Sequence, residues 1–114
     1  MPYLLIKTNQ TLASDASQAL LAEASREVAA ILGKPERYVM VVLEQGCPML
    51  FGGSNAPLAY LELKSIGLPV GQTGELSSLL TDLVSRHLCV DRERVYIEFS
   101  NASGPMWGWN GATF

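Results

Sequence analysis

Two stretches of the chain repeat apolar residues at helical spacing. Leu20, Leu21, Ala24, Val28, Ile31 and Leu32 recur at intervals of mostly three and four, as do Leu76, Leu79, Leu80, Leu83, Val84 and Leu88. This predicts two amphipathic helices, each with one face to bury. The first has Ser14 or Asp15 as a candidate N-terminal cap, Gly33 where a left-handed C-terminal residue is wanted, and Pro35 to stop the helix resuming. Gly74 marks the loop expected before the second helix. The segments flanking the helices echo one another. Tyr3-Leu4-Leu5-Ile6-Lys7-Thr8 is similar to Tyr60-Leu61-Glu62-Leu63-Lys64-Ser65. Arg37-Tyr38-Val39-Met40-Val41-Val42-Leu43-Glu44 is similar to Glu93-Arg94-Val95-Tyr96-Ile97-Glu98-Phe99-Ser100, at nearly the same offset. Two echoes at one spacing predict a duplicated unit.

Each half therefore reads strand, helix, strand, with halves of roughly 1–55 and 56–114 inside one domain spanning 1–114. A right-handed crossover makes the two strands of a half parallel. Setting both helices on one face of a four-stranded sheet buries their apolar stripes, so the expected class is α+β, built from two β-α-β repeats. Leu5, Val39, Val41, Leu63, Val95 and Ile97 suggest apolar surface on both faces of the sheet, more than two helices can cover, and so a homo-oligomer. Gly52-Gly53-Ser54-Asn55, followed by Pro57, is a turn between the halves. Trp107-Gly108-Trp109-Asn110-Gly111-Ala112-Thr113-Phe114 combines aromatics with turn residues, so this tail is expected to dock.

Composition narrows the function. With 114 residues and 48% hydrophobic content, the chain has material for one core. A net charge of -3, from eight basic and eleven acidic residues without a basic block, argues against nucleic acid or an anionic membrane as partner. No apolar run reaches membrane-spanning length, and the first residues lack the charged and apolar regions of a leader. A cytoplasmic location is expected. Cys47 and Cys89 are far apart and lack further ligand-type neighbours except His87, so both are expected to be buried thiols with no metal site.

An ordered set of short motifs then stands out: Met1-Pro2 opening a strand, Thr8-Asn9, Gly33-Lys34-Pro35 with Tyr38, Phe51-Gly52-Gly53-Ser54, Ser65-Ile66-Gly67, Arg94-Val95-Tyr96-Ile97 and Gly108-Trp109-Asn110. Over nearly its whole length the chain resembles the macrophage migration inhibitory factor and D-dopachrome tautomerase family, within the tautomerase superfamily. That resemblance implies a homotrimer whose sheets surround a central channel, with an active site at each subunit interface. It also implies keto–enol tautomerisation of aryl pyruvates such as phenylpyruvate, without metal or organic cofactor. Pro2, freed by removal of Met1, would be the general acid–base. Lys34 and the backbone N–H of Ile66 would hold the substrate's carboxylate or carbonyl oxygen, with Tyr96 arriving from a neighbouring subunit. Tyr38, Trp107, Trp109 and Phe114 would receive the aromatic ring, while Tyr3 and Lys64 flank the mouth.

The chemistry is consistent with these residue types. A tautomerase needs one group that accepts and returns a proton near neutral pH. An α-amine ordinarily titrates at about 7.7–8.0; proline's is intrinsically higher, and burial beside a cation lowers it. The condition is that Pro2 nitrogen be a free amine, because under Met1 it is an amide without a basic lone pair. The chain also departs from the family's vertebrate cytokine. Leu58-Ala59-Tyr60-Leu61 stands where the cytokine has Cys-x-x-Cys, so thiol–disulfide chemistry is not expected. Glu98 replaces an asparagine and Lys64 a histidine. At the far end of the pocket Glu98 is expected to tolerate a phenolic hydroxyl and repel a second carboxylate. Two alternatives stay open: a signalling protein released without a leader, and a trimer that keeps the fold with weakened chemistry.

Overall fold

The computed structural model describes residues 1–114. Its order is β1 (Tyr3–Thr8), α1 (Ser14–Leu32), β2 (Met40–Glu44), β3 (Ala59–Ile66), α2 (Thr73–Leu88), β4 (Val95–Ala102) and a small hairpin of β5 (Gly108–Trp109) and β6 (Ala112–Thr113). The main sheet runs β2-β1-β3-β4. Its outer pairs, β1 with β2 and β3 with β4, are parallel, and β1 meets β3 antiparallel. The duplicated unit read from the sequence is thus present as two parallel crossovers joined back to back. Leu4 and Ile6 of β1 and Leu61 and Leu63 of β3 share one core with Leu20, Ala24 and Val28 of α1 and Leu76, Leu80, Leu83 and Val84 of α2. Both helices lie on that one face.

The ends of the helices depart from expectation in detail. Gly33 does close α1 in the left-handed region, at φ 62°, where its N–H and that of Lys34 reach back to the last turn. The N-terminal cap is Ala13, with no side-chain capping bond, and Ser14 already belongs to the helix. Asp15 Oδ1 instead accepts from Ala16 N–H inside the first turn. Gly74 lies in the first turn of α2 rather than in the loop before it. Cys89 takes the left-handed position that ends α2, at φ 54°, and is exposed, while Cys47 is half-buried. The expectation of two buried thiols is therefore corrected: one cysteine terminates a helix at the surface.

The larger correction concerns the second sheet face. Val41 pairs with Leu4, Leu63 with Leu4, Val95 with Ala59 and Ile97 with Leu61, so all four turn toward the helices. Val39 lies before β2, packed at the core's edge. Side chains alternate strictly along a strand, and only the register assigns each to a face. The open face is left with Tyr3, Leu5 and Lys7, Met40, Val42 and Glu44, Tyr60, Glu62, Lys64 and Ile66, and Tyr96, Glu98, Ser100 and Ala102. Its apolar members are Leu5, Met40, Val42, Ile66 and Ala102; the rest are polar or amphipathic, with Lys7 Nζ 3.5 Å from Glu44 Oε2. Of the six residues read as apolar surface on both faces, only Leu5 therefore lies on the open face, whose surface is mixed apolar and polar.

One feature of this face has a measurable consequence. Glu62 and Glu98 are register partners on adjacent strands, and Tyr60 Oη lies 3.1 Å from the first carboxylate and 3.4 Å from the second. Burial, then the hydrogen bond and charge of Glu62 and the charge of Glu98, push the Tyr60 phenol up to about 12. The folded state thus favours the protonated phenol. That contribution to stability is complete below the ordinary tyrosine value of about 10 and is lost as pH rises through about 12. In a phenolate absorbance titration one of the four tyrosines should ionise last, and Tyr60→Phe should remove that final step. Four tyrosines titrating together near 10 would rule out this contact in solution.

Candidate functional site

The N-terminal end of β1 is held against three other segments. Left-handed Gly33 turns the chain sharply out of α1, and Pro35, at φ -62°, leads into the 3-10 turn Glu36–Tyr38. The turn is closed by Tyr38 N–H to Pro35 O at 3.1 Å and Val39 N–H to Glu36 O at 2.9 Å. The chain then enters β2, where Met40 N–H donates to Pro2 O at 3.0 Å. Lys34, Arg37 and Tyr38 are thereby brought to the end of the sheet where Pro2 lies buried. From the other side, the β1–β3 register places Lys64 opposite Tyr3.

The tail closes the site. Asn110 and Gly111, at φ 53° and 75°, form the two-residue turn of the β5–β6 hairpin, where two successive positive φ angles match the strand twist. Phe114 N–H donates to Trp107 O at 3.2 Å. Trp109 and Phe114 stack with centroids 5.7 Å apart, and Tyr38 stands edge-on to both, at 5.6 and 6.2 Å. Gly104 lies directly under this tail: a Cβ there would meet Phe114 O at 2.6 Å. Gly104→Ala should displace Phe114, costing about 1–3 kcal/mol of local packing. The expected readout is altered tryptophan fluorescence and weaker binding of an aryl acid, with far-ultraviolet dichroism unchanged.

Together these segments enclose a cavity of about 420 Å³. Of the residues singled out in the sequence, Pro2, Tyr38, Lys64, Trp107, Trp109 and Phe114 line it, with Tyr3 beside them. Lys34 is not among the lining residues, and its charge reaches the site through the Met1 amine. Burial first, and then the positive charge of Lys34, hold the Met1 amine below the ordinary α-amino value. Sequence reasoning missed Met1 itself, Arg37, Val39, Met40 and Gly108 as lining residues. Arg37 had a usable signal, because it directly precedes Tyr38 and lies two residues after Pro35.

Ile66, Tyr96 and Glu98 do not line this cavity in their own chain. Tyr96 pairs with Tyr60 near the opposite end of the sheet, is 65% exposed, and packs against Phe51 with centroids 4.5 Å apart. The loop carrying Phe51 is itself clamped by Arg94, whose guanidinium donates to the carbonyls of Phe51, Ser54, Ala56 and Pro57. Tyr96 is therefore a fixed, outward-facing aromatic.

A family model described as macrophage migration inhibitory factor matches residues 1–114. The chain belongs to the macrophage migration inhibitory factor family. It is 41% identical to a macrophage migration inhibitory factor homolog of Brugia malayi and 36% identical to the macrophage migration inhibitory factor of Mus musculus, with 100% of this chain and 99% of each relative covered. In three dimensions it is similar to the macrophage migration inhibitory factor homologue of Prochlorococcus marinus, with a TM-score of 0.93, 41% identity and 98% of both chains covered. The macrophage migration inhibitory factor family lies within the tautomerase superfamily, as the ordered motifs suggested, and its fold is that of this chain. No helix is long and apolar enough to cross a membrane.

Proposed function

We propose that this protein is a cofactor-independent keto–enol tautomerase of aryl pyruvates such as phenylpyruvate, with the Pro2 amine as general acid–base. The observation that carries the reading is the setting of the chain's first residues. Pro2 is buried in the wall of an aromatic cavity, and the amine one residue earlier is already held low by burial and by Lys34. Removing Met1 transfers the terminal nitrogen to Pro2, one residue deeper into the same surroundings, where desolvation and the cation act in the same direction.

In ketonisation the neutral amine takes the proton from the C2 hydroxyl of the enol while C3 receives a proton from the ammonium form. The net change is one proton moved from oxygen to carbon. Lys34, with the Ile66 N–H, stabilises negative charge on the carboxylate and developing at the C2 oxygen. Tyr38, Trp107, Trp109 and Phe114 receive the ring in a mostly apolar wall, as small-molecule sites require. The family's homotrimer would bring Tyr96 and Glu98 from a neighbouring subunit, consistent with Tyr96 being fixed and outward-facing. The direct test pairs a phenylpyruvate ketonisation assay with the intact mass of the same sample. Specific activity should rise in proportion to the fraction of chains lacking Met1, and a rate independent of that fraction would remove Pro2 from the mechanism.

The relatives' shared name favours a second reading, a secreted signalling protein. Release of the protein into the medium and competition with the vertebrate factor for its receptor would carry that reading; absence of both would leave the enzyme reading alone.

A further inference from the structure

Two cationic side chains, Arg37 and Lys64, and no acidic side chain of the same chain line the cavity beside Pro2. The two are not equivalent. Lys64 Nζ lies 3.6 Å from Glu62 Oε2, so much of its charge is already answered within the sheet. Arg37 takes no part in the chain's ion pairs. Its guanidinium lies over the Tyr38 ring, 4.7 Å from the centroid. Stacking occupies the flat face of a guanidinium and leaves its N–H edge free, in a fork that matches a carboxylate. Tyr38 is also the ring that stands against Trp109 and Phe114. One aromatic wall therefore ends in an exposed cation that takes no part in an ion pair.

We propose that Arg37 is a specificity residue that binds a second carboxylate carried on the ring of the substrate, so that the site prefers dianionic aryl 2-oxo acids. The proposal rests on the tautomerase reading for the orientation of the ligand, with its first carboxylate toward Lys34 and its ring on Tyr38, Trp109 and Phe114. It opposes the expectation from the sequence that Glu98 repels such a group. Glu98 is absent from the lining of its own chain; in the neighbouring subunit that would bring it to the site, its carboxylate still accepts a hydrogen bond from the Tyr60 hydroxyl at 3.4 Å.

The test uses full-length protein shown by intact mass to lack Met1. Binding of the unreactive probes cinnamate and 4-carboxycinnamate is measured by titration calorimetry, in parallel with kcat/KM for phenylpyruvate and 4-carboxyphenylpyruvate. In the wild type the dianionic probe should bind about tenfold tighter at low ionic strength, the scale of one charge-assisted contact, with the gap narrowing as salt screens it. Arg37→Gln should bring the affinity ratio near unity, and Arg37→Lys should keep part of it. A wild-type ratio at or below one, or a ratio that Arg37→Gln leaves alone, overturns the proposal. So does a low ratio that rises in Glu98→Asn, since that would put the repelling carboxylate in the site. Turnover separates the two readings. A dianion preference in binding with no turnover of either acid defeats the tautomerase reading and leaves the anion site standing. Turnover of both acids without preference does the reverse.

Discussion

Pro2→Gly should lower kcat/KM for phenylpyruvate ketonisation by about 10²-fold or more, within the range that a positioned general acid–base contributes. The fold should survive. Pro2 contributes its carbonyl to Met40 N–H, which glycine supplies equally well, and the core begins only at Leu4. What glycine removes is the ring that fixes the amine's direction, leaving a more mobile primary amine at the same end of β1. The pH profile offers an independent check. The neutral amine is the proton acceptor for the enol hydroxyl, so kcat/KM should fall as pH drops through the amine's pKa. Burial and Lys34 hold the Met1 amine low, and on the tautomerase reading they are expected to act in the same direction on a freed Pro2 amine. Lys34→Gln removes a cation that disfavours the ammonium form, so the acidic limb should move to higher pH. A limb that stays in place in Lys34→Gln, or equal rates in wild type and Pro2→Gly, would end the catalytic-proline reading.

How much of this was legible in the sequence follows from what each signal depends on. The duplicated units were legible because each is a local pattern: Leu76 to Leu88 repeat at helical spacing, and Tyr3–Thr8 echoes Tyr60–Ser65. Gly33 with Pro35 read correctly because a left-handed residue before a proline is a local backbone requirement. The faces of the sheet were not legible. Val41 and Ile97 read as apolar strand residues wherever they point, and only pairing with Leu4 and Leu61 sends them inward. The polar face was spelled out as Tyr60, Glu62 and Lys64, yet alternation without a register could not attach Glu98 to it.

The site divides in the same way. Pro2, Tyr38, Lys64 and the terminal aromatics were named from the family resemblance, and their convergence in one cavity was not derivable from spacing. Arg37 was passed over because the resemblance centres on Lys34 and Tyr38, while its role depends on how the 3-10 turn directs a side chain. Cys89 was misread for a related reason. A lack of ligand-type neighbours argues against a metal site and says nothing of burial, and the chain needed a helix terminus at this position.

Leu61→Ala should destabilise the fold by about 2–5 kcal/mol, while Tyr60→Phe, one residue earlier on the same strand, should cost about 1 kcal/mol at neutral pH. Leu61 is fully buried between Ile6 and Ile97 in the sheet and beneath both helices, so truncation leaves a cavity that rigid neighbours on three sides cannot fill. Tyr60 faces the other way. Its ring packs in the open face and its hydroxyl bridges toward Glu62 and Glu98, so phenylalanine keeps the ring and loses a hydrogen bond at a half-buried site. The lost hydroxyl also leaves two like charges directly opposite across adjacent strands, which prevents the change from being neutral. Urea unfolding of both variants at fixed protein concentration measures the difference, with an unchanged slope required for a clean reading. If Tyr60→Phe proves as costly as Leu61→Ala, the open face is packed as tightly as the core. A partner would then have to cover it, and the polar residues there would be buried contacts of an assembly rather than a solvated surface.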